Sequence, residues 1–112
     1  MVRMWMIDPI FLCNNHLLGE HNECHVLAGS IIKRKNIDGL LRSHFIEPQN
    51  LMVRHDELVV EMLRRKMNHR SPLDQPFGVP FGKVSVAESY KELIRRCPEC
   101  RKRIPTVRKE HQ

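Results

Sequence analysis

The 112-residue chain has room for one domain with a modest core, and an aromatic content of 5% leaves that core to aliphatic and Met side chains. A formal net charge of +6 and an isoelectric point near 9.5 favour an anionic partner. No apolar run reaches the roughly 18 residues of a membrane span, no signal-peptide pattern is visible, and the four Cys read as reduced thiols, so the expected compartment is cytoplasmic or nucleoid-associated and not secretory.

Residues 2–12 are apolar and interrupted by Pro9, which reads as an extended arm lying across helices, with Trp5 as its anchor in the core. From Asn14 or Asn15, both good N-caps, the pattern is helical to about Lys35. His16, Glu20 and Glu23 fall within about 60° of one another on that helix, on or beside the side carrying Leu17, Cys24, Leu27 and Ile31. Glu20 points among apolar residues and Glu23 lies at their edge, where partial desolvation raises a carboxyl pKa and suits it to proton transfer. A Glu at such an edge more often hydrogen-bonds a neighbour than does chemistry, so periodicity alone does not assign a role. His21 and His25 are expected on the opposite side, facing solvent.

Asn36, Asp38 and Gly39 mark a turn, and residues 39–50 read as a loop with a short helical turn stopped by Pro48. A second helix is predicted from Leu51 to Lys66, with Leu51, His55, Leu58, Val59 and Met62 on its apolar face and Glu57 and Glu61 on the other side. Arg64, Arg65 and Lys66 close it, where cations complement the helix dipole. Residues 68–83 hold three Pro and two Gly and read as a long loop packed down by Phe77 and Phe81. Ser85 to Glu88 forms a capping box for a third helix, with Tyr90, Leu93, Ile94 and Cys97 inward and Lys91, Arg95 and Arg96 on a basic side. Pro98 ends it, and a basic tail follows to Gln112. From Lys91 onward there are eight of the 19 Lys and Arg against three acids, so most of the net charge lies at the C-terminal end, as expected of a phosphate-tracking face.

The fold these elements imply is all-α. It is a compact three-helix domain, with an N-terminal arm (about 1–13) packed between the helices of a core (about 14–97) and a basic tail (about 98–112). Leu17, Leu27, Ile31, Leu58, Met62, Leu93 and Ile94 are the expected core. Cys97-Pro-Glu-Cys100 is half of a zinc knuckle, for which Cys13, Cys24, His21 or His25 would have to complete the ligands. The preferred reading is reduced thiols without a metal, with Cys13 and Cys24 as small buried apolar residues. A metal site built on His16, His21, His25 and Glu20 is disfavoured because those side chains diverge around the helix.

Arg3, His16-Leu17, Glu20 and Glu23, at their spacing from the initiator Met, resemble the start of the pyrimidine-dimer DNA glycosylases of the phage endonuclease V type. Residues 54–68 (RHDELVVEMLRRKMN) are similar to that family's middle helix. Asn22 and Val26 stand where the phage prototype has arginines, and its aromatic, basic C-terminal segment is absent. The resemblance implies a repair glycosylase with abasic-site lyase activity. In it the α-amine of Val2, freed by removal of Met1, would be the nucleophile, and Glu23 the essential carboxylate. An α-amine has a pKa of about 7.7–8.0, so a useful fraction is neutral near pH 7. Arg3, His16, Glu20, Lys91 and Arg95 would contact substrate or DNA backbone. The partner would be double-stranded DNA containing a lesion, met by a monomer that needs no cofactor or metal and no membrane. The competing reading is a non-catalytic, basic helical module that binds nucleic acid, with or without zinc at Cys97 and Cys100.

Overall fold

The computed structural model describes residues 2–69 and 71–105, and its architecture is all-α, with no strand among the described residues. The three expected helices are α1 (Asn14–Ile32), α3 (Leu51–Arg64) and α4 (Val86–Arg96). Two short ones join them, α2 (Asp38–Arg42) and α5 (Pro98–Arg103), with 3-10 turns at Pro9–Phe11 and Pro48–Asn50. No described helix is long and apolar enough to cross a membrane.

The cap of α1 is Cys13, whose Sγ accepts from His16 N, one residue before the predicted Asn caps. The helix stops at Ile32 rather than Lys35 because Arg34 turns left-handed (φ 58°) and Lys35 N closes back on Ser30 O at 2.9 Å. Lys66 (φ 65°) ends α3 and His44 (φ 60°) ends α2 in the same way. Ser85 caps α4 through Glu88 N, as its sequence predicts. Pro98 both ends α4 and opens α5, its fixed φ being suited to a first helical turn. The first part of the expected tail is therefore helix, with Cys100 and Ile104 fully buried. Residues 106–112 of the tail lie outside the described residues.

α1 packs against α3, and the arm crosses them with Met4, Trp5, Ile7 and Leu12 buried in the common core. Of the predicted core, Leu17, Leu27, Leu58, Met62 and Leu93 are buried, and Ile31 and Ile94 pack at its edge. Two expectations fail on burial. Glu61 is buried because Arg64 (2.8 and 2.6 Å) and Arg65 (2.7 Å) neutralise it. Arg65 also donates to the carbonyls of Pro9, Ile10 and Leu12, so it clamps the arm to α3. Phe77 and Phe81 do not pack the long loop down and are exposed (98% and 75%). Polar staples hold it instead. The Gln49 amide exchanges two hydrogen bonds with the Gly82 backbone, Gln75 donates to Pro48 O, and Val84 N donates to Glu47. A Cβ at Gly82 would lie 2.3 Å from Ile46 O, so only glycine allows that approach.

Candidate active site

The arm delivers the start of the chain to α1. Met4 N donates to Phe45 O at 2.7 Å, and its Sδ takes the Glu47 amide, which fixes the arm against the α2–α3 connection. One residue earlier, Arg3 N donates to Glu23 Oε1. Val2 is thus adjacent in sequence to an amide bonded to Glu23. Burial pushes the Glu23 carboxyl above its ordinary range, the Arg3 amide opposes that shift, and the Glu20 charge adds to it.

Beside this contact is a cleft of about 160 Å³ lined by Arg3, Trp5, His16, Glu20, Glu23 and Arg96. It is smaller than the roughly 300–1,000 Å³ of pockets that enclose drug-sized ligands. The Arg3 guanidinium lies between the Trp5 and Phe45 rings, 4.2 and 4.3 Å from their centroids, and Arg96 lies 5.1 Å from the Trp5 centroid. Burial, and then repulsion from Arg96, lowers the Arg3 pKa. Among the described residues, Arg3 Nε is buried without a hydrogen-bond partner. Two cations on one indole, one with an unused donor, form a site that an anion such as phosphate would satisfy.

Glu20 reaches the cleft wall in a different state from the one expected. Its carboxylate is buried and held bidentately by Arg54, at 2.6 Å from Nε and 3.0 Å from Nη2. The pair ties α1 to α3. Lys91 and Arg95 are exposed and lean on acids of their own helix, Glu88 at 3.6 Å and Glu92 at 2.6 Å. Arg96, set aside in the sequence as one of a basic trio, is the α4 cation that reaches the cleft. Trp5 does anchor the arm, at 5% exposure, and it also carries both cleft arginines. A larger groove of about 520 Å³, between the arm and α3, is lined by Asp8, Arg54, Glu57 and Val60 and does not include Val2 or Glu23.

His16 faces two environments. It lines the cleft and meets Trp5 edge-on at 5.7 Å, while its Nδ1 lies 3.3 Å from Cys13 Sγ and 3.5 Å from Cys100 Sγ. Cys97 Sγ completes the group, 3.9 Å from Cys13 Sγ, with all four ligand atoms within 4.8 Å of one another. Cys13 is therefore part of a thiol cluster, whereas Cys24 is the small buried apolar residue expected, its thiol pushed up to about 12 by burial. A second cluster corrects the placement of His21 and His25 in solvent. His21 stands four residues after Leu17 and is buried with it, because one turn of helix returns it to the same face. Its ring meets those of His25, His55 and His69 at 4.9, 4.8 and 4.9 Å. The divergence of His16 from His21 and His25 holds, but other elements supply partners to each.

Among known proteins, the family model described as pyrimidine dimer DNA glycosylase matches residues 2–75, which include the arm, α1, α3 and Glu23 but not α4 or α5. No curated protein and no solved structure matches the chain. On the strength of that match over most of its length, the chain belongs to the pyrimidine dimer DNA glycosylase family.

Proposed function

We propose that the chain is a DNA repair glycosylase with abasic-site lyase activity on pyrimidine dimers, working through a Schiff base on the α-amine of Val2. The hydrogen bond from Arg3 N to Glu23 carries this reading, because it fixes the residue after the nucleophile on the proposed proton-handling carboxylate. In the first step the neutral amine attacks C1′ of the damaged nucleotide. The N-glycosidic bond breaks, and its electron pair leaves with the base. Loss of the amine proton and opening of the sugar give an imine. Removal of a C2′ proton then expels the 3′ phosphate, and water hydrolyses the imine to free the amine. Glu23, with its raised pKa, is suited to shuttle these protons and to stabilise the cationic sugar. Arg3 and Arg96 would hold the flanking phosphate, and the lesion would lower the cost of unstacking the nucleotide.

Borohydride reduction in the presence of DNA containing an abasic site tests the chemistry. The expected result is a covalent adduct mapped to Val2, in protein whose intact mass shows Met1 removed. Glu23→Gln should lower turnover by about 10²-fold or more. Protein beginning at Val2 that forms no adduct would refute the reading and leave a basic nucleic-acid-binding module.

A further inference from the structure

The geometry points to a structural zinc site formed by Cys13, His16, Cys97 and Cys100. A tetrahedral ion with bonds of about 2.3 Å to sulfur and about 2.0 Å to nitrogen sets its ligands about 3.8 Å apart sulfur to sulfur and about 3.5 Å apart sulfur to nitrogen. The observed edges are 3.9 Å for Cys13–Cys97, and 3.3 and 3.5 Å from His16 to Cys13 and Cys100. Each sulfur also accepts a backbone amide. His16 N donates to Cys13, Cys100 N to Cys97 and Cys13 N to Cys100. These donors are arranged for thiolates, which zinc requires. Cys-x2-His caps one helix and Cys-x2-Cys opens another, so each half places two ligands in a single turn. Three thiolates and a neutral imidazole leave the site one negative charge. The ion would join α5 to the arm, set Arg96 next to Cys97, and leave His16 with its proton on Nε2.

The test uses the untagged full chain. Cobalt substitution should give the near-ultraviolet thiolate-to-cobalt band and intense visible bands of a tetrahedral site, and Cys97→Ser with Cys100→Ser should abolish the thiolate band. Should that variant not fold, mercurial titration of the unmodified chain should release one zinc ion as the thiols are consumed. The site is refuted if cobalt binds without a thiolate band, or if zinc-supplemented protein releases none on titration. These readouts need no catalysis, so they are independent of the proposed reaction.

A separate observation carries a second site. We infer that His21, His25, His55 and His69 bind a divalent transition-metal ion, with zinc as the form expected in a tetrahedral four-nitrogen site. The ligand nitrogens lie within 4.8 Å of one another, and the Nε2 atoms of His55 and His69 are 3.3 Å apart, close to the edge of about 3.3 Å that a tetrahedral ion imposes on two nitrogens. Among the described residues, Nε2 of both His21 and His25 is buried without a hydrogen-bond partner. The bond from His55 Nδ1 to Asp56 at 2.9 Å is the kind of outer contact that orients a metal-bound imidazole. His55 Nε2 also lies 3.0 Å from Ser71 O, so a proton there is the competing occupant. Metal analysis of the Cys97→Ser, Cys100→Ser chain separates them. One ion per chain should remain, and His21→Ala with His69→Ala should remove it. A Cys-substituted chain that holds no ion, or whose ion is unaffected by the His substitutions, would refute the site in favour of the proton.

Discussion

Glu20 and Glu23 leave α1 on neighbouring turns, yet Arg54 takes up the first and the backbone amide of Arg3 the second. The difference decides what each substitution should do. Glu20→Gln removes the buried counterion of Arg54 and leaves only the more exposed Glu57, 3.1 Å from Nη1, which costs up to roughly 3 kcal/mol. A large fall in the thermal midpoint should therefore accompany any loss of DNA strand cleavage. A Glu20→Gln protein that melts normally but no longer traps on DNA would instead assign Glu20 to the substrate. The 3.6-residue period was enough to place Glu20 among apolar side chains. Its partner was not legible, because Arg54 lies 34 residues away on another helix and nothing in either segment encodes that pairing. His21 was misplaced for a different reason. Its direction was judged against His16, Glu20 and Glu23 and read as opposite, but it lies one turn after buried Leu17, and three further rings from α1, α3 and the long loop meet it there.

At the scale of the elements, helix starts were easier to read than helix ends. Ser85 and Pro98 act locally, so the start and stop of α4 could be placed from sequence, whereas α2 already ends at Arg42 and Pro48, the expected stop, opens a 3-10 turn. Three helices end on a left-handed residue that is not glycine, namely Arg34, His44 and Lys66, which removes the usual sequence signal. That conformation costs an L-residue roughly 1 kcal/mol, so Arg34→Gly at its exposed position should raise stability by up to about 1 kcal/mol in urea denaturation. No gain, or a loss, would mean that the Arg34 side chain stabilises the turn by more than its backbone costs. The clamp at the end of α3 has a pH signature. Arg64 and then Arg65 hold the Glu61 carboxyl down to about 2, against burial that acts the other way. A carboxyl lowered on folding stabilises the native state above its unfolded pKa of about 4.3 and loses that contribution as pH falls toward 2. Wild type should therefore lose stability relative to Glu61→Gln between those limits, by on the order of 1 kcal/mol once solvent screening of exposed Arg64 is allowed for. Parallel denaturant titrations across that range measure it, and curves that stay parallel would contradict the assignment.

Across the whole molecule, the charge count points to an anionic partner but not to the face that would meet it. Most of the excess positive charge follows Lys91, yet Lys91 and Arg95 are exposed beside acids of α4, and the cations at the cleft are Arg3, from the arm, and Arg96. A charge total cannot show that Arg96, which lies 3.5 Å from Glu92 of its own helix, also meets Trp5, because that contact arises only when the arm is folded against α4. Salt dependence can distinguish the cleft from the exposed face of α4. Each phosphate neutralised by a cation releases counterions and contributes about −0.9 to the slope of log K against log salt. Arg96→Gln should make that slope shallower by about one contact, with a matching loss of affinity at low salt. Lys91→Gln should leave the slope nearly unchanged, since Lys91 does not line the cleft. Fluorescence anisotropy on an abasic-site duplex over a salt series reads both slopes. If the two variants shifted equally, the DNA would be following the exposed face of α4 and not the cleft at Trp5. The two arginines on that indole would then need another anion to account for them.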